Sequence, residues 1–169
     1  MTRCLSIALV LCALPALADP TDPEARSRFY GEARGWQIEA LDDAMGFVGC
    51  RGMIPLQAAG PLLVERGSEG AEGWMLYVPS AQVPGAKDGD SAAGRFIVDG
   101  TEAGARFRLL GHGWAGLELS AGMRQQMQDG NLMTTALDGE EPRQWILNGS
   151  TAALGMIEEC HARQGAVWR

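Results

Sequence analysis

The sequence predicts a mainly β domain, an antiparallel sandwich or partly open barrel with a C-terminal α-helix packed on it. Three observations carry that prediction. Short apolar runs alternate with polar residues at a period of two. Glycine is abundant, 23 of 169 residues, and recurs at turn positions between those runs. Only two segments have helical spacing, and the last of them carries a cysteine on its apolar face.

Residues 1–18 read as a cleavable secretory signal. Arg3 supplies the positive start, Leu5 to Leu14 the apolar core, Pro15 its break, and Ala16-Leu17-Ala18 the small-x-small pattern before Asp19. The core is shorter than the roughly 20 apolar residues needed to cross a bilayer, so no membrane span is expected after cleavage. Cys12 follows Leu9-Val10-Leu11 and lacks the small residue that precedes a lipidated cysteine. Cleavage after Ala18 leaves 151 residues, near the commonest size of one domain. Residues 19–34, with Pro20, Pro23 and many charges, read as a flexible leader, and residues 35–169 as a single β-rich domain.

Within that domain, Trp36 to Ala40 alternates like a half-buried strand, Asp42-Asp43 begins a turn, and Phe47 to Arg51 enters a second strand. Leu62 to Arg66 and Trp74 to Val78 form a hairpin with Trp74, Leu76 and Val78 on one face. Pro79 to Gly94 reads as a long surface loop. Arg95 to Val98 resumes strand character, Asp99-Gly100 turns, and Ala105 to Leu109 alternates so that Arg106 and Arg108 share the other face. Trp114 to Leu119 adds a strand. Ser120 caps a helix over Ala121 to Asp129, stopped by Gly130-Asn131. Leu132 to Leu137 and Gln144 to Leu147 are strands. The closing helix runs from about Thr151 to Arg163, with Ser150 or Thr151 as cap and Gly165 as terminator. Gly-Trp pairs at 35–36, 73–74 and 113–114 each open a strand-like run, a short echo of repeated hairpins.

Composition narrows the partners. With Arg3 removed, 13 basic and 21 acidic residues remain, a formal net charge of −8. Such a surface repels phosphate, so nucleic acid and anionic lipid are not expected partners. Lys87 is the one lysine among many arginines, a bias of GC-rich bacterial genomes that points to the periplasm or the medium. Cys4 and Cys12 leave with the signal. Cys50 and Cys160 stay, and in an oxidising compartment they pair most simply with each other. Closing a loop of that length contributes about 4–5 kcal/mol in the chain-entropy model.

A thiol nucleophile at Cys160 has His161 beside it, but neighbours in a helix point about 100 degrees apart, and a disulfide removes the thiol. Gly149-Ser150-Thr151 holds only part of a nucleophile elbow. Cys50, His112, Cys160 and His161 offer sulfur and nitrogen without zinc spacing. The acidic pairs Asp42/Asp43, Asp88/Asp90, Glu140/Glu141 and Glu158/Glu159 read as solvated turns, and Asp88-Gly89-Asp90 falls short of a calcium loop. A glycosidase carboxylate pair cannot be placed from sequence. No catalytic residue, metal or cofactor is therefore assigned. Tryptophans stand at 36, 74, 114, 145 and 168; at strand positions they favour the core, although an indole can also line a ligand site. The candidate binding surface is Arg106, Arg108, Trp114, Asp88 and Asp90, with the arginine pair suited to an anionic group.

The order Gly35-Trp36-x-Ile38, Cys50, the strand pair around Trp74, Phe96-Ile97-Val98-Asp99-Gly100 and the closing Gly149-Ser150-x-Ala-Ala153-Leu154 with Cys160 resembles small secreted proteobacterial proteins of the invasion-associated locus B family. This chain has Ile38-Glu39-Ala40 where that family carries a cysteine soon after its first tryptophan. The resemblance implies an envelope or host-contact role and no known reaction. The expected function is a periplasmic or secreted non-enzymatic binding protein whose partner is another protein. One version is a hydrolase inhibitor that uses the Pro79–Gly94 loop. The rival is a periplasmic hydrolase acting on cell-wall or sugar substrates.

Overall fold

The computed structural model describes residues 26–55, 57–67, 73–81, 87–110 and 113–167. The signal sequence, His112 and Trp168 lie outside the described residues. The strands are β1 (Arg26–Ala33), β2 (Trp36–Asp43), β3 (Gly46–Ile54), β4 (Leu62–Arg66), β5 (Trp74–Pro79), β6 (Ser91–Val98), β7 (Thr101–Leu110) and β8 (Trp114–Glu118). Helix α1 (Ala121–Asp129) follows, then β9 (Leu132–Leu137), β10 (Arg143–Ile146) and α2 (Ser150–Ala162). All pair antiparallel in one ten-stranded sheet of order β1-β2-β3-β4-β5-β8-β7-β6-β9-β10. The sheet is not closed, since β1 and β10 lie at its two ends. This is the mainly β architecture with a C-terminal helix that the alternation predicts.

Two boundaries differ from the sequence reading. Residues 26–33, assigned above to a flexible leader, form β1 and pair with β2 from Arg26↔Asp42 to Ala33↔Trp36. Its first four residues are all exposed, so no apolar alternation marks the strand; the bonding edge of β2 does. Arg28 holds it further, with Nε 2.7 Å from Asp42 and Nη1 donating to the Gly165 carbonyl at 2.5 Å. Likewise Ser91 to Gly94, read as the end of a loop, already belong to β6 and pair with β7 from Ser91↔Arg108.

The main core lies on one face, where Trp36, Ile38, Trp74, Leu76, Phe96, Phe107 and Trp145 are almost wholly buried, and a smaller cluster of Leu63, Met75, Tyr77 and Trp114 is buried apart from it. Two indoles spend their N–H on carbonyls, Trp36 on Asn148 and Trp145 on Gly60, each at 3.1 Å. Helix α2 covers this face, with Ala153, Leu154, Ile157 and Cys160 turned inward. It comes so close to β3 that a Cβ at Gly52 would sit 2.7 Å from Ile157 Cδ1. The disulfide joins Cys50 to Cys160 across a separation of 110 residues, with Cα atoms 6.1 Å apart.

Ser120 caps α1, accepting from the Met123 N–H. The cap of α2 is instead Gly149, at φ 84°, and it has no side-chain bond. Ser150 and Thr151 donate their hydroxyls to the Met127 and Gln128 carbonyls at 2.5 and 2.6 Å. They satisfy the C-terminal end of α1 and so tie the two helices together. Gly165, at φ 70°, ends α2 by donating its N–H to the Cys160 carbonyl at 2.8 Å.

Candidate functional site

The β6–β7 hairpin turns through Asp99 and Gly100, both at positive φ (47° and 83°), as a two-residue hairpin turn requires. The Asp99 carboxylate accepts from the N–H groups of Asn131 and Leu132 at 2.9 Å each. Those backbone bonds hold its carboxyl below the ordinary aspartate value. The hairpin is thereby anchored to β9, and β7 runs paired with β6 from Thr101 to Arg108.

On its other side β7 meets β8 only through Arg108↔Gly116, Leu109↔Ala115 and Leu110↔Trp114. Beyond that point β8 continues along β5 as far as Met75↔Glu118, and the chain turns into α1. The strands thus splay into a wedge. A groove of about 670 Å³ fills it, with Met75, Leu117 and Met123 as apolar lining and Gly104, Arg106 and Arg108 along β7. Glu118, Ser91 and Ser120 add polar atoms. Arg106 and Arg108 are both exposed. The sequence places these two arginines on one strand face, and the fold sets that face on an open groove.

The other predicted surface residues are elsewhere. Trp114 is 4 % exposed and packs with Leu63, Met75 and Tyr77, so it is not a surface residue. Strands β5 and β8 are buried on both faces, which is why its outward register does not expose it. Asp88 is exposed at a tight turn. Asp90 closes that turn, its carboxylate accepting from the Lys87 N–H at 2.8 Å, while Gly89 and Asp90 bond to the main chain of Leu109. Asp90 therefore docks the loop end against β7, one residue before Ser91 at the groove. Among the described residues no group of three or more His, Cys, Asp or Glu side chains is placed to hold a metal ion.

Two of the catalytic candidates are engaged elsewhere. Cys160 is in the disulfide, and the Ser150 hydroxyl is spent on Met127. His161 tilts against Phe47 with ring centroids 5.8 Å apart; burial, then the nearby Arg66 charge, pushes its pKa below the usual histidine value. Glu140, read as a solvated turn residue, accepts from the Ser80 hydroxyl and from the Ala81 N–H at 3.2 Å, so it anchors the start of the 80–90 connection.

Sequence reasoning missed three features. Glu39 and Arg51, opposite each other on β2 and β3, form a buried ion pair at 3.0 Å, and Gln37 also donates to Glu39 at 2.8 Å. Trp74 lies under two guanidinium groups, Arg66 at 5.7 Å and Arg124 at 5.3 Å from the ring centroid. At the seam between the ends of the sheet, Gln57 docks on β10 beside a second groove of about 690 Å³ lined by Trp36, Ile54, Gln144, Ile146 and Asn148. A period-two alternation marks faces, not partners, so none of these contacts had a signal in the chain itself.

Comparison with family models, with curated proteins and with solved structures finds no match to this chain.

Proposed function

We propose that this is a non-enzymatic binding protein of the periplasm or extracellular space, released by cleavage after Ala18, whose partner is another protein. A disulfide between Cys50 and Cys160 supports the location. The observation that carries the binding reading is the wedge between β7 and β8, where Arg106 and Arg108 border an apolar-lined groove. Cations beside an apolar floor suit a polypeptide that presents acidic and apolar side chains together. The groove lies beside the Pro79–Gly94 loop, of which residues 82–86 lie outside the described residues. The resemblance to the invasion-associated locus B family points the same way, toward an envelope or host-contact role.

The test is affinity capture from envelope extract with the mature protein, in wild-type form and with Arg106→Glu and Arg108→Glu combined. Wild type is expected to retain a protein partner that the double variant loses. Turnover of a peptidoglycan or glycan substrate by the purified protein, with no partner retained, would establish the hydrolase reading instead.

A further inference from the structure

The groove has a backbone edge. The main chain of Leu109 bonds toward the β6 side, its N–H to the Asp90 carbonyl at 2.7 Å and its C=O to the Gly89 N–H at 2.8 Å. In an antiparallel ladder successive residues direct their N–H and C=O alternately to the two neighbours, so the even-numbered residues of β7 face β8. The unbroken register from Val98↔Thr101 to Ser91↔Arg108 keeps that parity along the strand. Arg108 has its partner in Gly116, but the ladder stops there, and among the described residues Glu102, Gly104 and Arg106 have no paired residue on that side. Gly104 and Arg106, which line the groove, aim donors and acceptors into the wedge.

We infer that the wedge binds an acidic, extended polypeptide segment by strand addition to the free edge of β7. The inference rests on the protein-binding reading above and specifies the chemistry of its partner. Main-chain bonds to an exposed edge supply affinity irrespective of sequence, and side-chain pockets supply selectivity. Gly104 leaves room for approach, since a Cβ there would meet nothing within 4 Å. Arg106, exposed on this edge, selects a carboxylate on one face of the incoming strand. Met75, Leu117 and Met123 take its apolar residues. An exposed strand edge is ordinarily blunted by charge, bulge or cover, and here the charge stands beside the edge as a selector.

The probe is an end-blocked octapeptide of alternating valine and glutamate, with a valine–lysine counterpart. The glutamate peptide is expected to bind wild type and to slow amide exchange at Gly104 and Arg106 at least tenfold at saturation. Arg106→Glu should weaken the glutamate peptide at least tenfold and improve binding of the lysine peptide. Gly104→Pro removes a donor on the edge side while leaving the β6 ladder intact, and should cost at least tenfold in affinity. With the protein unaltered, N-methylation of one alternate set of peptide amides should abolish binding, and of the other set should not. Equal binding by both methylated peptides, or unchanged exchange at Gly104 and Arg106, overturns strand addition. So does a free chain that is dimeric with those amides already protected, because a second copy is then the occupant. If the envelope partner is still captured, and still lost on charge reversal, the binding reading stands without the strand; loss of both results removes both.

Discussion

The side-chain amide of Gln57 hydrogen-bonds in both directions to the backbone of Ile146, Nε2 donating to the carbonyl at 2.9 Å and Oε1 accepting from the N–H at 2.7 Å. A carboxamide here does what the next strand would do: it satisfies a donor and an acceptor on the outer edge of β10. Gln57→Ala is expected to destabilise the protein by about 1–2 kcal/mol, the range for losing two hydrogen bonds at a partly solvated site. It should also expose an edge that promotes concentration-dependent self-association. Urea unfolding and size-exclusion chromatography at two concentrations measure the two effects. An unchanged midpoint in urea would contradict the stabilising role.

The disulfide makes a prediction that is independent of function. Unreduced protein should show a mass two hydrogens below the thiol form and no alkylatable cysteine. Replacing Cys50 and Cys160 together by alanine should lower stability by about 2–5 kcal/mol, read as a lower denaturation midpoint. Alkylation of Cys160 in native protein would reopen its thiol chemistry.

The Glu39–Arg51 pair is costly to break because both side chains are mostly buried, 12 % and 8 % exposed. Glu39→Ala should destabilise by about 3 kcal/mol, as it withdraws a carboxylate from a guanidinium shielded from water. The double variant Glu39→Ala with Arg51→Met should lose less than the two single variants added together. Thermal melts of the four proteins close the cycle, and strict additivity would show that the two groups do not act as a pair.

Asp99 sets an acid limit on the β6–β7 hairpin. Its carboxyl is held below the ordinary value of 3.8 by backbone N–H groups, so the folded state favours the charged form. The stability this contributes is full above the unfolded value and is lost as pH falls through the lowered folded value. Asp99→Asn keeps a residue tolerant of positive φ but removes the charge. Wild type is expected to be the more stable of the two at pH 7, with the difference shrinking steadily from about pH 5 to pH 2. A gap that stays constant over that range would place the stabilisation elsewhere.

Much of the fold was legible because it is local. Strand β4 and helix α1 occupy the bounds read from alternation and from Ser120 as cap, and Asp99-Gly100 turns where an Asp-Gly pair should. Arg106 and Arg108 were also legible, since a period of two is enough to put them on one face. The groove was not, because it arises where β7 leaves β8, a divergence that no single segment encodes. Trp114 follows the core preference of a strand tryptophan, and what buries it, Leu63, Met75 and Tyr77, lies on strands far away in sequence. Strand β1 escaped notice because its exposed first half carries no apolar pattern.

The bond from Cys50 to Cys160 and the seat of Ile157 on Gly52 both join an early strand to the last helix. A chain made from its N-terminus has to wait for that helix before β3 can be covered or its cysteine oxidised correctly. Contacts of such long sequence separation slow folding, and here they also order it. A product cut short just before Ser150 would carry every strand of the sheet and lack the helix that covers it. Coverage of β3 thus waits on α2, and a chain lacking that helix is expected to leave the apolar face of the sheet open to proteases.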